Sequence, residues 1–347
     1  MTIRRVLIAY TPRPPILEYL RRAFARRGVE VITCPAHNTA FDRFVIHPLN
    51  KQAHNLRLLP KSRSLFEDHP KTHKNHRSEL LRTAIRQHDP DLVIVVRGID
   101  YHPWALEGAR RSCLWWVEAD ERLEEPFAEL PRFDHMFCIN RVGAQMAHER
   151  GFDNVSYLPH AVDPDAFRPI PEVRKDLDFC FVGIWSRERE RHLAAALELT
   201  RSGAIYGPRW FKRTWKKPAY WGVVRGGYIA GEPLVRLYNR AKVVINVSLW
   251  GLEGGKARSG LNMRVFEVPA CGAVLLTDSS RETAEIMTPG EHLETFSDLE
   301  DFQRKLAHLL QDKDARTRIG DAGRHHVLAH ASYDQTVQRI LDVFDTP

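Results

Sequence analysis

The sequence contains few cysteines and no long apolar run. Its five cysteines are scattered over 347 residues without a Cys-x-x-Cys pair, which argues against a disulfide framework or a zinc cage. No stretch of 18 apolar residues occurs, so we expect no transmembrane helix. The first residues run directly into a short apolar segment and prolines, unlike a signal peptide. A reducing, cytoplasmic location fits these features best.

The common cofactor and metal motifs are also missing. The chain has neither G-x-G-x-x-G nor G-x-x-x-x-G-K-[ST], and three prolines fill the turn after the first apolar segment, in residues 11–15. These absences disfavour NAD or FAD enzymes and P-loop nucleotidases. There is no H-E-x-x-H, and the adjacent pair His325-His326 cannot share a helix face. We therefore expect neither a cofactor nor a metal.

The net charge of +7 is unevenly distributed. Residues 1–90 hold 17 Lys/Arg against 7 Asp/Glu, and residues 201–226 hold seven Lys/Arg and no acid. Two local basic surfaces suggest an anionic partner or substrate, although ordinary solvated side chains explain each one equally well. Within the second region, 206–221 interleaves cations with aromatics. This pattern suits nucleic acid, peripheral contact with a membrane surface, or a surface helix anchored by its tryptophans.

Apolar runs alternate with helical periodicity in the first half of the chain, which predicts a doubly wound α/β domain. Their continuous β-branched character is typical of strands buried on both faces. Residues 37–78 interrupt the alternation without a clean period, so we expect a long loop with some short helix there. The predicted strands are 6–10, 29–32, 92–96, 113–117 and 136–139; helices are expected from residue 16 to Gly28 and over 79–88.

The alternation restarts after a proline-punctuated segment, 158–171, that resembles an interdomain connection. We predict domains over 1–165 and 172–330, with a last helical segment over 331–347. In the second half the predicted strands are 179–182, 205–206, 243–247 and 274–277, and the predicted helices are 188–200, 233–241, 262–271, 298–311, 314–329 and 333–344.

The strongest local pattern is the segment from Ser259 to Thr277, in which a glycine turn enters a short helix and then an apolar strand. Asn262 and Arg264 fall in the first predicted helical turn. An anion there would meet backbone N–H groups, the helix dipole and a guanidinium. Glu267 could accept hydrogen bonds from sugar hydroxyls. The alternative is a structural Arg264–Glu267 pair at i,i+3.

The string Asn262-x-Arg264-x-x-Glu267-x-x-Ala270-Cys271-Gly272, followed by an apolar strand, resembles the donor site of GT-B glycosyltransferases. More narrowly, it is similar to the CgeB-like (spore-maturation-type) family. Further stretches that resemble this family are 89–98, 116–120, 154–163, 181–183, 205–208 and 231–246. The resemblance implies two Rossmann-like domains that face a cleft, with a C-terminal helix returning to the N-terminal domain.

The resemblance also implies a metal-independent sugar transfer from a nucleotide-diphosphate sugar, most simply a UDP-sugar. One departure concerns the Glu-x7-Glu motif of related retaining enzymes, because Ser259 stands at the first Glu position. The implied donor-binding residues are Gly183, Arg189, Tyr206, Gly207, Tyr228, Asn262, Arg264 and Glu267.

An inverting reaction would also need a general base from the N-terminal domain. Asp120 is the first candidate, ahead of Glu118, although Asp120 could equally cap a helix; His160 could face the cleft or be structural. The basic charge of residues 1–90 suggests an anionic acceptor, which would lie near Tyr10, Arg13, Arg97 and Trp116. We expect a cell-surface glycan, protein or small-molecule acceptor, with nucleic acid ranked lower. The alternative function is nucleotide-sugar binding without turnover.

Overall fold

A computed structural model describes residues 2–10, 15–35, 37–60, 63–97, 101–118, 123–248 and 261–344. The chain divides into two compact units. The first comprises Met1–Leu158 with Val337–Pro347, and the second comprises Pro159–Thr336. Each unit is built on a six-stranded parallel sheet, which confirms the predicted pair of Rossmann-like α/β domains.

The first sheet has the strand order β2-β1-β3-β4-β5-β6, and every neighbouring pair is parallel. Its strands are β1 (Arg5–Tyr10), β2 (Glu30–Pro35), β3 (Leu92–Val96), β4 (Ser112–Trp116), β5 (His135–Cys138) and β6 (Val155–Tyr157). Its helices are α1 (Pro15–Arg26), α2 (His47–Asn55), α3 (His73–His88), α4 (Glu124–Glu129) and α5 (Arg141–Glu149). Strands β3, β4 and β5 are buried along their whole length and form a core with α3, α4 and α5.

The second sheet has the order β12-β11-β10-β7-β8-β9 and is likewise parallel. Its strands are β7 (Leu177–Val182), β8 (Gly203–Tyr206), β9 (Val224–Gly226), β10 (Ala241–Asn246), β11 (Val274–Asp278) and β12 (Glu294–Phe296). The helices that follow β6 in sequence are α6 (Arg187–Leu199), α7 (Trp210–Thr214), α8 (Glu232–Arg240), α9 (Arg264–Ala270), α10 (Arg281–Ile286), α11 (Leu299–Gln311), α12 (Lys313–His330) and α13 (Tyr333–Phe344). Aromatic side chains of β7 pack against α6, α7 and α11 in the core.

The C-terminal helix α13 ends in the first unit, as its predicted return requires. The guanidinium of Arg111 donates a hydrogen bond to the carbonyl of Phe344. The ring of Phe344 also meets His135 edge-on, with centroids 6.3 Å apart. The last turns of α13 are thereby attached beside the amino ends of β4 and β5.

The segment 37–78 contains more helix than the sequence predicts. Asp42–Ile46 forms a π-helix that leads directly into α2, and α3 begins at His73 rather than near residue 79. Polar contacts organise this segment: Thr39 Oγ1 accepts from the N–H of Asp42 at 3.0 Å, and a carboxylate oxygen of Asp42 accepts from the N–H of His73 at 3.1 Å. Because side-chain hydrogen bonds rather than an apolar stripe hold it, no apolar period marks it in the sequence.

The basic–aromatic segment 206–221 forms the short helix α7 and a 3₁₀ turn, Pro218–Tyr220. Trp210 is fully buried and anchors α7, whereas Phe211, Trp215 and Trp221 remain exposed. Trp221 Nε1 donates to the carbonyl of Trp215 at 2.8 Å. An aromatic surface flanked by cations results, and its contact with a membrane surface or nucleic acid stays a prediction.

Candidate active site

The carboxyl ends of β7, β10 and β11 meet at one edge of the second sheet, because all three strands are parallel. In open α/β sheets, ligands bind outside this edge. Here the strands end in polar residues: β10 ends at Asn246 and β11 at Thr277 and Asp278. We call this region the donor edge, and its side chains are joined by hydrogen bonds.

Asn246 is the centre of the donor edge. Only 1% of its surface is exposed. Its Oδ1 accepts from Arg264 Nε at 2.8 Å and from Asn262 Nδ2 at 3.3 Å, and its Nδ2 donates to Thr277 Oγ1 at 2.8 Å. Asn246 therefore fixes the position of the Arg264 guanidinium. The sequence gives one signal for it, a polar residue that ends the apolar run of β10, but no role was predicted for this residue.

A side-chain hydrogen bond to Asn246 positions Arg264, at the start of the short helix α9. Helix α9 has only seven residues, and the N–H of Arg264 is already bound to Asn262 Oδ1 at 3.1 Å. One N–H group at the start of α9 is therefore already occupied, and the contribution of this helix N-terminus to anion binding stays a prediction. Half-buried Arg264 remains the cation that the donor edge can offer to a ligand.

Arg189 lies almost completely buried behind the same edge, with 2% of its surface exposed. Its Nε donates to the carbonyl of Val247 at 2.7 Å, and its Nη1 donates to the carbonyl of Ile184 at 2.9 Å. These bonds connect the loops that follow β7 and β10. Burial, and then repulsion by the Arg264 cation, lower the pKa of Arg189 to about 9. Two cations are thus held close enough to oppose each other's charge, an arrangement that an anion would relieve.

Asp278 provides an opposing charge, which raises the pKa of Arg189 against the effects of burial and of Arg264. Its Oδ1, however, accepts from the N–H and Oγ of Ser248, at 2.9 and 3.1 Å. Asp278 therefore holds Ser248, which follows β10, while it tempers the positive potential there.

The turns after β7 and β8 touch through two glycines. A Cβ added to Gly207, whose φ is +149°, would lie 1.9 Å from the carbonyl oxygen of Gly183. That oxygen also accepts from Trp210 Nε1 at 2.8 Å. No residue but glycine fits at position 207 unless the two turns separate. The predicted donor residues Gly183 and Gly207 therefore serve first to bring these turns together.

A family model described as "Glycosyl transferase-like" matches residues 187–342, which include most of the donor edge. The chain is a glycosyltransferase with the GT-B fold. Among curated proteins, the search finds no match to this glycosyltransferase.

Solved structures of other proteins share the fold of this glycosyltransferase over nearly its whole length. Sucrose-phosphate synthase from Thermosynechococcus elongatus is 15% identical, with a TM-score of 0.69, and the match covers 99% of this chain and 98% of that one. A glycosyltransferase from Rickettsia africae is 12% identical, with a TM-score of 0.67 and the same coverages. Anabaena HepE in complex with UDP-glucose is 10% identical, with a TM-score of 0.66, and covers 98% of this chain and 99% of its own.

The remaining donor candidates of the glycosyltransferase differ in exposure. Tyr206 is half-buried at the end of β8, and Tyr228, just after β9, is 79% exposed. Glu267 is buried, and burial raises its pKa to about 7, although the charge of Arg264 opposes this rise. Burial, and then the charge of Glu267, raise the pKa values of Tyr238 and Cys271, which places the carboxyl close to these two core residues. Its contact with sugar hydroxyls stays a prediction.

Among the first-unit candidates, Glu118 Oε1 lies 2.7 Å from Arg97 Nε in a partly exposed ion pair. Arg97 follows β3 with a φ of +74°. Tyr10 ends β1 half-buried, and burial raises its pKa. The placement of Trp116 on the acceptor side needs correction, because its side chain is fully buried in the core. Its apolar surface stabilises the sheet and presents nothing to an acceptor.

His160, in the second unit, is 7% exposed, and burial lowers the pKa of its imidazole to about 4. It is therefore neutral near pH 7, and its catalytic role stays a prediction. Asp120, Arg13 and Ser259 lie outside the described residues. Within the described ranges, no group of three His, Cys, Asp or Glu side chains is arranged to hold a metal. In that same part of the chain, no helix is long and apolar enough to cross a bilayer.

The buried carboxyl of Glu267 predicts a pH-dependent stability. Its pKa is raised in the folded state from 4.5 to about 7, so folding favours the protonated form. That contribution is complete below about pH 4.5 and is lost as the pH rises through about 7. We expect Glu267→Gln, which stays neutral, to gain about 3 kcal/mol in unfolding free energy relative to the unaltered protein over this interval. Urea unfolding at several pH values measures it.

The difference in unfolding free energy between Glu267→Gln and the unaltered protein isolates the effect of Glu267. His160 also makes stability depend on pH, but it does so equally in both proteins. Glu285→Gln is the matched control: this glutamate pairs with the exposed Arg281 at 2.9 Å, and its removal is expected to leave the pH slope unchanged. A constant difference between Glu267→Gln and the unaltered protein from pH 4.5 to 7.5 would show that the carboxyl is not buried in its neutral form.

Proposed function

We propose that this glycosyltransferase transfers a sugar from a nucleotide-diphosphate sugar, with UDP as the carrier, to a hydroxyl group of its acceptor. The observation that carries the proposal is the pair of cations at the donor edge: Arg264, held by Asn246 at 2.8 Å, and buried Arg189, whose pKa is lowered by burial and then by the charge of Arg264. A diphosphate brings negative charge to this edge and gains more than it would in water, because the cations are already in place.

The reaction breaks the bond between the anomeric carbon and the β-phosphate oxygen, and both bonding electrons leave with the diphosphate. The acceptor oxygen forms the new glycosidic bond and releases its proton to a base. Arg264, oriented by Asn246 at 2.8 Å, would stabilise the charge that develops on the leaving diphosphate. Arg189 would add long-range attraction from behind the edge and keep the two loops together.

UDP is favoured as the leaving group because Anabaena HepE, whose fold this chain shares, is known in complex with UDP-glucose. In our proposal the uracil ring of UDP lies beside the turns after β8 and β9, where Tyr206 and Tyr228 offer aromatic surfaces. The guanidinium groups supply the positive charge that other enzymes take from a metal, so we propose metal-independent transfer. We also propose membership of the CgeB-like family and a cytoplasmic location.

The resemblance to GT-B glycosyltransferases assigns the acceptor site and the general base to the first unit. Glu118 is paired with Arg97 at 2.7 Å, so it would have to leave that pair to accept a proton. Asp120 therefore remains the first candidate for the base. We propose a cell-surface glycan, protein or small-molecule acceptor with anionic character, in keeping with the 17 Lys/Arg against 7 Asp/Glu in residues 1–90.

Nucleotide release with a panel of UDP-, GDP- and dTDP-sugars tests this function. We expect one UDP-sugar to give the fastest release. Sugars on the other nucleotides should react at least about tenfold more slowly, because contacts with the nucleobase distinguish uracil from guanine and thymine. The same panel is repeated with Arg264→Met to link release to the donor edge. The proposal fails if no nucleotide sugar binds at millimolar concentration and Arg264→Met changes nothing.

Two other outcomes would change the function. Binding of a nucleotide sugar without transfer to any acceptor would favour a binding protein, an alternative motivated by Ser259 in place of an acidic residue. Salt-dependent binding of DNA or RNA at about 50 mM salt, weakening steeply at higher salt, would favour a nucleic-acid acceptor instead.

A further inference from the structure

A second cationic site lies at the opposite edge of the second sheet, where the strands begin. A cavity of about 410 Å³ opens there, within the size range of small-ligand sites. It lies next to the first residues of β10 and β11. The lining residues are Lys175, Lys242, Gly272, Val274, Lys313, Arg316, Thr317 and Asp321.

Close packing of α12 brings these side chains together. A Cβ added to Gly320 would lie 2.6 Å from the carbonyl oxygen of Gly272, and one added to Gly323 would lie 2.2 Å from that of His292. The two glycines let α12 approach the sheet more closely than any other residues would. The first turns of α12, which carry Lys313 and Arg316, are thereby held over the cavity.

The cations are oriented mainly by uncharged groups. Lys175 Nζ donates to the carbonyl of Ala241 at 3.1 Å, and Arg316 Nη1 donates to that of Leu310 at 3.1 Å. Burial of the ammonium, and then the charge of Arg316, lower the pKa of Lys175. Exposed Lys313 has no ion pair among the described residues. These three cations therefore keep most of their positive charge for a ligand.

The carboxylates around the cavity neutralise only part of its positive charge. Asp321 is the only acid among the lining residues that the structure describes. Asp178 is paired with Lys242 at 2.7 Å, and Asp312 caps α12 by accepting from the N–H of Ala315 at 2.8 Å. Burial opposes the ionisation of Asp178, but hydrogen bonds from Lys242 and Thr200 lower its pKa. The N–H of Ala315 lowers the pKa of Asp312, and the charge of Arg316 adds to both effects, so both carboxyls stay ionised at neutral pH. Since Asp178 neutralises Lys242, the lining leaves three cations, Lys175, Lys313 and Arg316, against Asp321.

We propose that this cavity binds a small phosphorylated ligand, at a site separate from the donor edge. Lysine ammonium groups bind phosphate as point charges, and an arginine adds planar donors. The six residues of β10 separate Ala241 from Asn246, which is about 17 Å at 3.3 Å per residue. One small ligand cannot occupy both edges, so the inference does not depend on the proposed function.

Calorimetric titration with inorganic pyrophosphate tests the proposal, and inorganic phosphate provides a second probe. Pyrophosphate could also bind the donor edge, so the titrations use Arg264→Met as background. We expect one pyrophosphate to bind this variant, and the further change Lys313→Glu to weaken it by about tenfold or more through loss of a charge-assisted bond. Lys313 is exposed, so its replacement is not expected to unfold the chain.

Lys212→Glu on the same background is the matched control, because Lys212 is an exposed lysine on α7, outside the cavity lining. It should leave the affinity within about twofold, since exposed charges at a distance are screened by salt. Equal loss of affinity in the two lysine variants would overturn the proposal, as would no binding of pyrophosphate to Arg264→Met at millimolar concentration. The UDP-sugar panel reports on the donor edge independently of either result.

Discussion

Arg264→Met is expected to lower the rate constant of glycosyl transfer about a hundredfold or more while the chain remains folded. The guanidinium is held by Asn246 at 2.8 Å, so it faces the ligand without a further ordering cost. It would act on the charge that the diphosphate gains as the sugar leaves. We therefore expect a larger effect on kcat than on the KM of the donor, measured by steady-state nucleotide release.

Arg281→Met is the matched control for this prediction. Arg281 also begins a helix of the second unit, α10, but its side chain is 91% exposed and is paired with Glu285. Its loss should leave both kinetic constants within about twofold, because exposed ion pairs contribute little. Equal rates for the Arg264 and Arg281 variants, with unchanged thermal unfolding, would remove Arg264 from the catalytic machinery.

Gly207→Ala is expected to destabilise the second unit by about 3 kcal/mol or more and to abolish binding of the donor. The new Cβ would lie 1.9 Å from the carbonyl oxygen of Gly183 and 2.5 Å from its carbonyl carbon. Backbone atoms cannot rotate away as a side chain can, so the turns after β7 and β8 would have to separate. Urea unfolding measures the loss of stability, and a titration with UDP measures the loss of the site.

Gly227→Ala is the control variant for Gly207→Ala, because Gly227 lies in the next turn of this sheet, just after β9. A Cβ there would meet nothing within 4 Å, and Gly227 has no positive φ. Its replacement should change the unfolding free energy by no more than about 0.5 kcal/mol. Gly183→Ala should fall between the two, since its Cβ would meet the Arg189 and Phe181 side chains at 3.1 Å. Any other order among the three variants would contradict the proposed role of the glycine contact.

The buried strands were predictable because their apolar runs are continuous. Leu92–Val96 is buried at every position, as its composition indicates. Strands β9 (Val224–Gly226) and β12 (Glu294–Phe296) were not predicted. Each has three residues at a sheet edge, and such a run is too short to show a period. Their pairing with β8 and β11 is decided by the tertiary fold rather than by local sequence.

The donor edge was predicted in part. Asn262 and Arg264 do lie together, 16 and 18 residues along the chain from Asn246, which holds both side chains. Asn246 could not be assigned from spacing, because its partners come from another element of the fold. Arg189 was assigned to the same edge, but its bonds to the carbonyls of Val247 and Ile184 depend on a loop approach that sequence periodicity does not encode.

Trp116 shows how a residue at the end of a strand can mislead. Its place near the end of the predicted strand 113–117 suggested an acceptor contact, yet the indole is buried in the first core. Strand periodicity does not distinguish a last buried residue from a first exposed one when both faces of a sheet are covered. The sequence also did not predict the basic cavity where the strands of the second sheet begin. Its cations come from three segments that are far apart in the chain.

The central claim, that the donor edge binds the diphosphate of a nucleotide, is tested most directly by comparing UDP with uridine. Both ligands are titrated into the unaltered protein and into Arg264→Met by calorimetry. We expect UDP to bind the unaltered protein about a hundredfold more tightly than uridine, and Arg264→Met to reduce that ratio about tenfold or more. The affinity for uridine should barely change. A ratio that Arg264→Met leaves unchanged would contradict the account, because the diphosphate would then lie elsewhere.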